Sequence, residues 1–219
     1  MSYPLNYPTP QGANIQIFNV FEGQNVGTQT WVKPQGASFV WFTLIGAGGN
    51  GDTGTNGGGS GAVTNCMVPA FLIPDSLQIQ IGSSYETSYT VINYSSTTGT
   101  YPLLTAISAN GSLAGAASTS NYFSAMGFYQ SIAGQNGSIP VVNPSATTFL
   151  SAGAAGANAV TANYGYASDA TSGQGFFQIQ PIIVGVGGGG NYNIGQGGIG
   201  CGGAVYGFGG NGLVVIISW

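Results

Sequence analysis

Charge is what this chain has least of: one basic residue, five acidic ones and no histidine in 219 positions, or 3% charged. Soluble domains usually carry about 25%, so little on this surface would keep copies apart in water, and an obligate homo-oligomer is expected. Nucleic-acid binding draws its affinity from lysine and arginine on phosphates, and Lys33 alone cannot supply it. DNA and RNA are therefore excluded as partners. Without histidine a Ser-His-Asp triad lacks its base, and without a G-K-[ST] sequence a phosphate loop lacks its cation.

Other absences narrow the class further. No apolar run approaches the roughly 20 residues of a membrane-spanning helix; those at Phe39 to Ile45 and Pro181 to Val186 are far shorter, so no membrane insertion is expected. Met1 to Pro10 shows neither the basic region nor the apolar stretch of a secretory leader. Cys66 and Cys201 form no framework and no metal-ligand spacing; they are either one bridge or two separate thiols. Asp52, Asp75, Glu86 and Asp169 are scattered singly, which predicts no metal site and no cofactor. The three N-x-[ST] sites, at Asn93, Asn110 and Asn136, follow from an Asn- and Ser-rich composition and are read as unmodified.

Aromatics and glycine are abundant instead. Twelve Tyr, eleven Phe and three Trp argue for a folded core, because disordered chains have few aromatics. Short β-type runs follow one another at Ile15 to Phe21, Thr28 to Val32, Ser38 to Ile45, Ala62 to Val68, Leu77 to Ile81, Ser88 to Asn93 and Leu103 to Ala106. Leu77, Ile79 and Ile81 alternate with glutamines, the period of a half-buried strand. Residues 39–45 are apolar on both faces and suit a central strand. The fold class expected is all-β, a β-sandwich or jelly-roll-like body. The organisation expected is a proline-rich arm over 1–12 and a single β-rich domain over 13–219. Strands are also predicted at Thr147 to Leu150, Phe176 to Val184 and Leu213 to Trp219, the last returning into the N-terminal body, and a short helix near Ser120 to Ser131.

Forty glycines are concentrated in two excursions, 46–61 and 185–212. In the first, Gly48, Gly51, Gly54 and Gly57 recur every third residue, and Gly46, Gly49, Gly58 and Gly61 fall on a neighbouring frame. In the second, Gly185, Gly188, Gly197, Gly200, Gly203, Gly209 and Gly212 share a frame. A period of three matches polyproline II, which turns once per three residues. A flexible linker is the alternative; Ile194, Ile199, Val205, Tyr206 and Phe208 favour a packed run that could present Tyr192, Tyr206 and Phe208 to a partner.

Two motifs invite an enzymatic reading and do not sustain it. The strand ending at Ile45 enters a G-x-G-x-x-G sequence, Gly46 to Gly51, which in a dinucleotide-binding unit opens a helix; the glycine-rich run that follows here cannot form one. Asp52-Thr53-Gly54 spells the aspartic-protease triplet, but glycines precede it where an apolar strand should, and no second copy exists. No catalytic residue is assigned, and the chain is not expected to be an enzyme.

The landmarks fall in a recognisable order. Trp31-Val32-Lys33-Pro34-Gln35-Gly36-Ala37 is followed by the strand Val40 to Ile45 entering Gly46-Ala47-Gly48-Gly49, then Gly57 to Ala62, and at the end Gly207-Phe208-Gly209-Gly210-Asn211-Gly212-Leu213-Val214-Val215-Ile216-Ile217-Ser218-Trp219. This succession resembles the glycine-rich domain of viral structural proteins, found in tail-fibre and appendage proteins of tailed bacteriophages and in other virion proteins. The resemblance implies a non-enzymatic virion component: a fibre, spike or appendage subunit with a host-attachment role, or else a minor capsid or capsid-decorating subunit. It implies other virion proteins and a host surface receptor or glycan as partners, favours a trimer, and identifies no site residues.

Overall fold

The computed structural model describes residues 12–20, 27–51, 58–84, 88–119, 123, 129–134, 136, 200, 202–203 and 208–219. Nine strands lie within them: β1 (Asn14–Asn19), β2 (Gln29–Val32), β3 (Phe39–Ile45), β4 (Val63–Pro69), β5 (Ser76–Gln80), β6 (Thr90–Ser96), β7 (Gly99–Ala106), β8 (Tyr129–Ile132) and β9 (Leu213–Ser218). They form two antiparallel sheets, ordered β1-β9-β3-β4-β8 and β2-β5-β6-β7, so the all-β sandwich is what the chain adopts.

Side-chain alternation sets the two layers. Val40, Phe42 and Leu44 of β3, Cys66 and Val68 of β4, and Val214 and Ile216 of β9 face inward. They meet Trp31, Leu77, Ile79, Ile92 and Leu104 from the second sheet, all at most 1% exposed. Trp31 and Phe42 touch edge to face across the interior, ring centroids 6.1 Å apart, the arrangement aromatic quadrupoles favour. Buried side chains of this kind contribute roughly 1.5–3 kcal/mol each. The other face of the five-stranded sheet holds a smaller buried cluster of Ile45, Val63, Leu213 and Val215, with Ile217 against it. That explains why residues 39–45 are apolar throughout: β3 buries side chains on both of its faces.

The C-terminal strand does return. β9 pairs with β1 over Leu213 to Ser218 and with β3 over the same residues, so the last strand of the chain lies between two N-terminal ones. The helix expected near Ser120 to Ser131 is corrected at its end, where Tyr129 to Ile132 pairs with β4 as a strand. Hydrogen bonding to other segments outweighs local propensity here: the Tyr129 hydroxyl donates to Ser118 O at 2.9 Å, and Ser131 Oγ lies 2.9 Å from Thr64 Oγ1. Cys66 is a free, buried thiol, which excludes the Cys66–Cys201 bridge. Lys33 pairs with Asp75 at 2.8 Å and donates to Ala70 O and Ile73 O, tying the end of β2 to the 3-10 turn at Ala70–Leu72. The segments 147–150, 176–184 and 1–11 and the D-T-G triplet lie outside the described residues.

Candidate functional site: a pole built from backbone

The strand register brings several strand ends to one end of the sandwich. Ile45 pairs with both Val63 and Leu213, and Val63 pairs with Ile132, so β3 and β8 leave, and β4 and β9 enter, at the same pole. β7 ends beside them, since Ala62 N donates to Ile107 O at 2.9 Å. Every glycine-rich stretch of the described chain therefore emerges where the others do.

These stretches belong to no strand, yet they are hydrogen-bonded to one another with a repeat of their own. Gly46 N donates to Ala62 O at 2.8 Å and Gly49 N to Gly59 O at 2.9 Å. Gly58 N donates to Gly203 O at 2.7 Å and Gly61 N to Gly200 O at 2.9 Å. Both donors and acceptors advance by three residues, whereas a β-ladder repeats every two. Segment 58–62 has neighbours on three sides: its Gly58 and Gly61 amides point at Gly203 and Gly200, its Gly59 and Ala62 amides at Gly111 and Ile107, and its Gly59 and Ala62 carbonyls accept from Gly49 and Gly46. A flat strand has two hydrogen-bonding sides. Three directions with a three-residue repeat match the pattern of polyproline-II packing and not that of a β-ladder.

Such packing leaves no room for side chains at the contacts. A Cβ built on Gly46, Gly49, Gly58, Gly61, Gly202 or Gly209 would lie well inside contact distance of a backbone carbonyl of a neighbouring segment. None of these six has a positive φ; that conformation occurs instead at Gly12, Gly36, Gly99, Gly111 and Gly200. Their requirement is for space, not for backbone freedom. In the first excursion Gly46, Gly49, Gly58 and Gly61, all on one of its two frames, are contact positions, and Gly59 adds one off it. In the second, Gly209 and Gly212 follow the expected frame, while Gly202 adds a contact off it.

Polar side chains close the remaining valences. Asn50 Oδ1 accepts from Gly209 N at 2.9 Å, and Asn211 accepts from Ser84 N and donates to Val20 O. Ser108 Oγ accepts from Ala47 N and donates to Ser88 O, and Thr90 Oγ1 accepts from Gly82 N. Thr64, Ser118, Tyr129 and Ser131 form a hydroxyl cluster where β4, β7 and β8 approach the pole. Ala47, Ala62 and Ser60 are fully buried, so the pole has an interior, made largely of peptide groups.

Of the partner-contact residues expected from the sequence, Phe208 is 44% exposed beside the Gly209 contact; Tyr192 and Tyr206 lie outside the described residues. Leu113, which was not anticipated, is 62% exposed on the tight turn where Asn110 and Leu113 exchange both backbone bonds. Its signal was the Asn110-Gly111 pair, legible as a turn but silent about its position beside the glycine segments. Among the described residues no three His, Cys, Asp or Glu side chains lie close enough to share a metal ion. What the arrangement offers chemically is a fixed surface of backbone edges with a few apolar side chains standing on it.

Comparison with protein-family models found no match, and comparison with curated proteins found none either.

Proposed function

We propose that this chain is a non-enzymatic structural subunit of a virus particle, part of a fibre, spike or appendage, whose glycine pole is the end that meets a host surface protein or glycan. The observation that carries the reading is the close backbone packing of residues 46–49 and 58–62 against each other and against Ile107, Gly111, Gly115, Gly200, Gly202 and Gly203. A pole held by several crossing segments is rigid, and rigidity spares a binding surface the entropy of ordering loops on contact. Phe208 and Leu113 stand exposed on it, and the landmarks from Trp31 to Ile216 support the assignment to a virion. Such a subunit would act as a homo-oligomer among other virion proteins.

A purely structural role, as a minor capsid or capsid-decorating subunit, is the second reading. It is favoured by apolar exposure at the opposite pole, where Phe71 is 82% and Val32 64% exposed and Phe39 stacks on Trp219 at 6.0 Å. Labelling Trp219 with gold and imaging purified particles separates the two. Label confined to the projections supports the attachment reading, label spread over the shell supports the decorating one, and particles without label overturn both.

A further inference from the structure

A β-sheet edge presents unpaired backbone donors and acceptors, and proteins guard such edges with proline, charge, a bulge or brevity. Four edges exist among the described strands: β1 and β8 in one sheet, β2 and β7 in the other. Three are guarded. β7 carries Pro102, and its pairing with β6 is broken by an irregularity at Ile92/Asn93. β8 and β2 have four residues each, and β2 runs directly into Lys33, which pairs with Asp75.

β1 differs on every count. It is a six-residue strand, Asn-Ile-Gln-Ile-Phe-Asn, with no charge and no proline, and it pairs with β9 in unbroken register along its whole length. Its far side has no strand partner among the described residues. Ile15 and Ile17 project from the outer face of the sheet, 51% and 40% exposed, in line with Ile217 and Val215 of β9.

We propose that β1 is an assembly edge, to which a second copy of this chain adds its own β1 antiparallel, joining two five-stranded sheets into one. The strand is complementary to itself. Opposed residues of antiparallel strands share a face, so a twofold centred on Gln16 sets Ile15 against Ile17 of the second copy twice over and Gln16 against Gln16. A slip by one residue would oppose side chains from different faces, and a centre on Ile17 would pair Ile15 with Asn19, leaving a single isoleucine pair. Neither strand carries a charge, so the contact brings no like charges face to face. A six-residue edge makes a small contact, so the pair is concentration-dependent. It gives twofold symmetry; a trimer would need another surface.

The test is light scattering of the full chain between about 1 and 100 µM, a range that brackets micromolar association, beside Ile17→Lys and Gln16→Cys variants. The unsubstituted chain should shift from one to two chain masses across that range. Ile17→Lys should weaken the pairing by at least about tenfold, since an edge lysine is one of the natural guards. Ile17 is exposed, and a far-ultraviolet spectrum identical to that of the parent verifies that the variant folds. Under mild oxidation Gln16→Cys should give a disulfide-linked dimer faster than Asn14→Cys does, with the unsubstituted chain as the control for Cys66 and Cys201. A monomer at 100 µM, a trimer, or a dimer indifferent to Ile17→Lys overturns the proposal; the monomer would leave the edge to a strand from a different protein. Equal cross-linking at residues 14 and 16 overturns the register.

Discussion

The two halves of this molecule are packed by opposite means. In the sandwich, Trp31, Phe42, Leu77 and Ile216 interdigitate, and stability comes from apolar side chains leaving water. In the glycine pole the side chains are missing, and peptide groups of different segments meet directly. Removing atoms should damage the first region, and adding them should damage the second. Glycine, usually a source of flexibility, is here what permits close contact.

The largest effect should come from deleting Leu213 to Trp219. β9 is an interior strand of the five-stranded sheet, bonded to β1 on one side and β3 on the other, and side chains worth roughly 1.5–3 kcal/mol each would be lost from a total stability of about 5–15 kcal/mol. The truncated chain is expected not to fold; a soluble product with an unchanged thermal midpoint would mean that β9 is dispensable.

Next are paired substitutions that set the two kinds of packing against each other. Phe42→Ala should cost about 3–5 kcal/mol through the cavity it leaves. Gly202→Ala adds a single methyl, yet its Cβ would fall on the Gly58 carbonyl, so a loss of several kcal/mol is expected in denaturant melts. Gly36→Ala is the control. Its φ of +84° strains an alanine but nothing lies within 4 Å, and the cost should stay near the roughly 1–2 kcal/mol of a left-handed residue. If Gly202→Ala and Gly36→Ala melt alike, the close-contact account of the pole is wrong.

A smaller effect concerns pH. Burial pushes the Cys66 thiol from its ordinary value near 9 up to about 12. Between those values the unfolded chain loses the proton while the folded chain keeps it, so the unfolded state binds fewer protons and stability falls as pH rises. Below pH 9 the group contributes no pH dependence. Cys66→Ala removes this slope: its deficit against the parent, measured by urea melts, should be constant below pH 9 and shrink above it.

Smallest should be the loss of the Lys33–Asp75 pair. Asp75 is 92% exposed at its side chain, so Asp75→Asn should change stability by less than about 1 kcal/mol. Lys33→Ala should cost more, because Ala70 O and Ile73 O lose a donor as well. A larger loss for Asp75→Asn than for Lys33→Ala would reverse that assignment.

The sandwich was largely legible, because alternation such as Leu77-Gln78-Ile79-Gln80 reports the face each residue takes. Gly99 to Pro102 escaped notice as strand, since a proline and polar residues read as turn where an edge tolerates them. Tyr129 to Ile132 was missed because its strand partner, β4 with Thr64, is distant in sequence. At the pole the three-residue glycine period was visible, but composition cannot say which frame faces a neighbour; only the register of β3, β4, β7 and β9 brings Gly58 against Gly49 and Gly202 against Gly58.

The central claim is that the glycine pole is an ordered structure held by its own backbone bonds, and native-state hydrogen exchange reads those bonds directly. The amides of Gly49, Gly58, Gly59, Gly61 and Gly203 each donate to another segment and should be protected nearly as strongly as those of Phe42 and Leu44 in β3. Exchange of these glycine amides at the rate of an unstructured chain, with β3 still protected, would show a tether at the end of a sandwich and contradict the account.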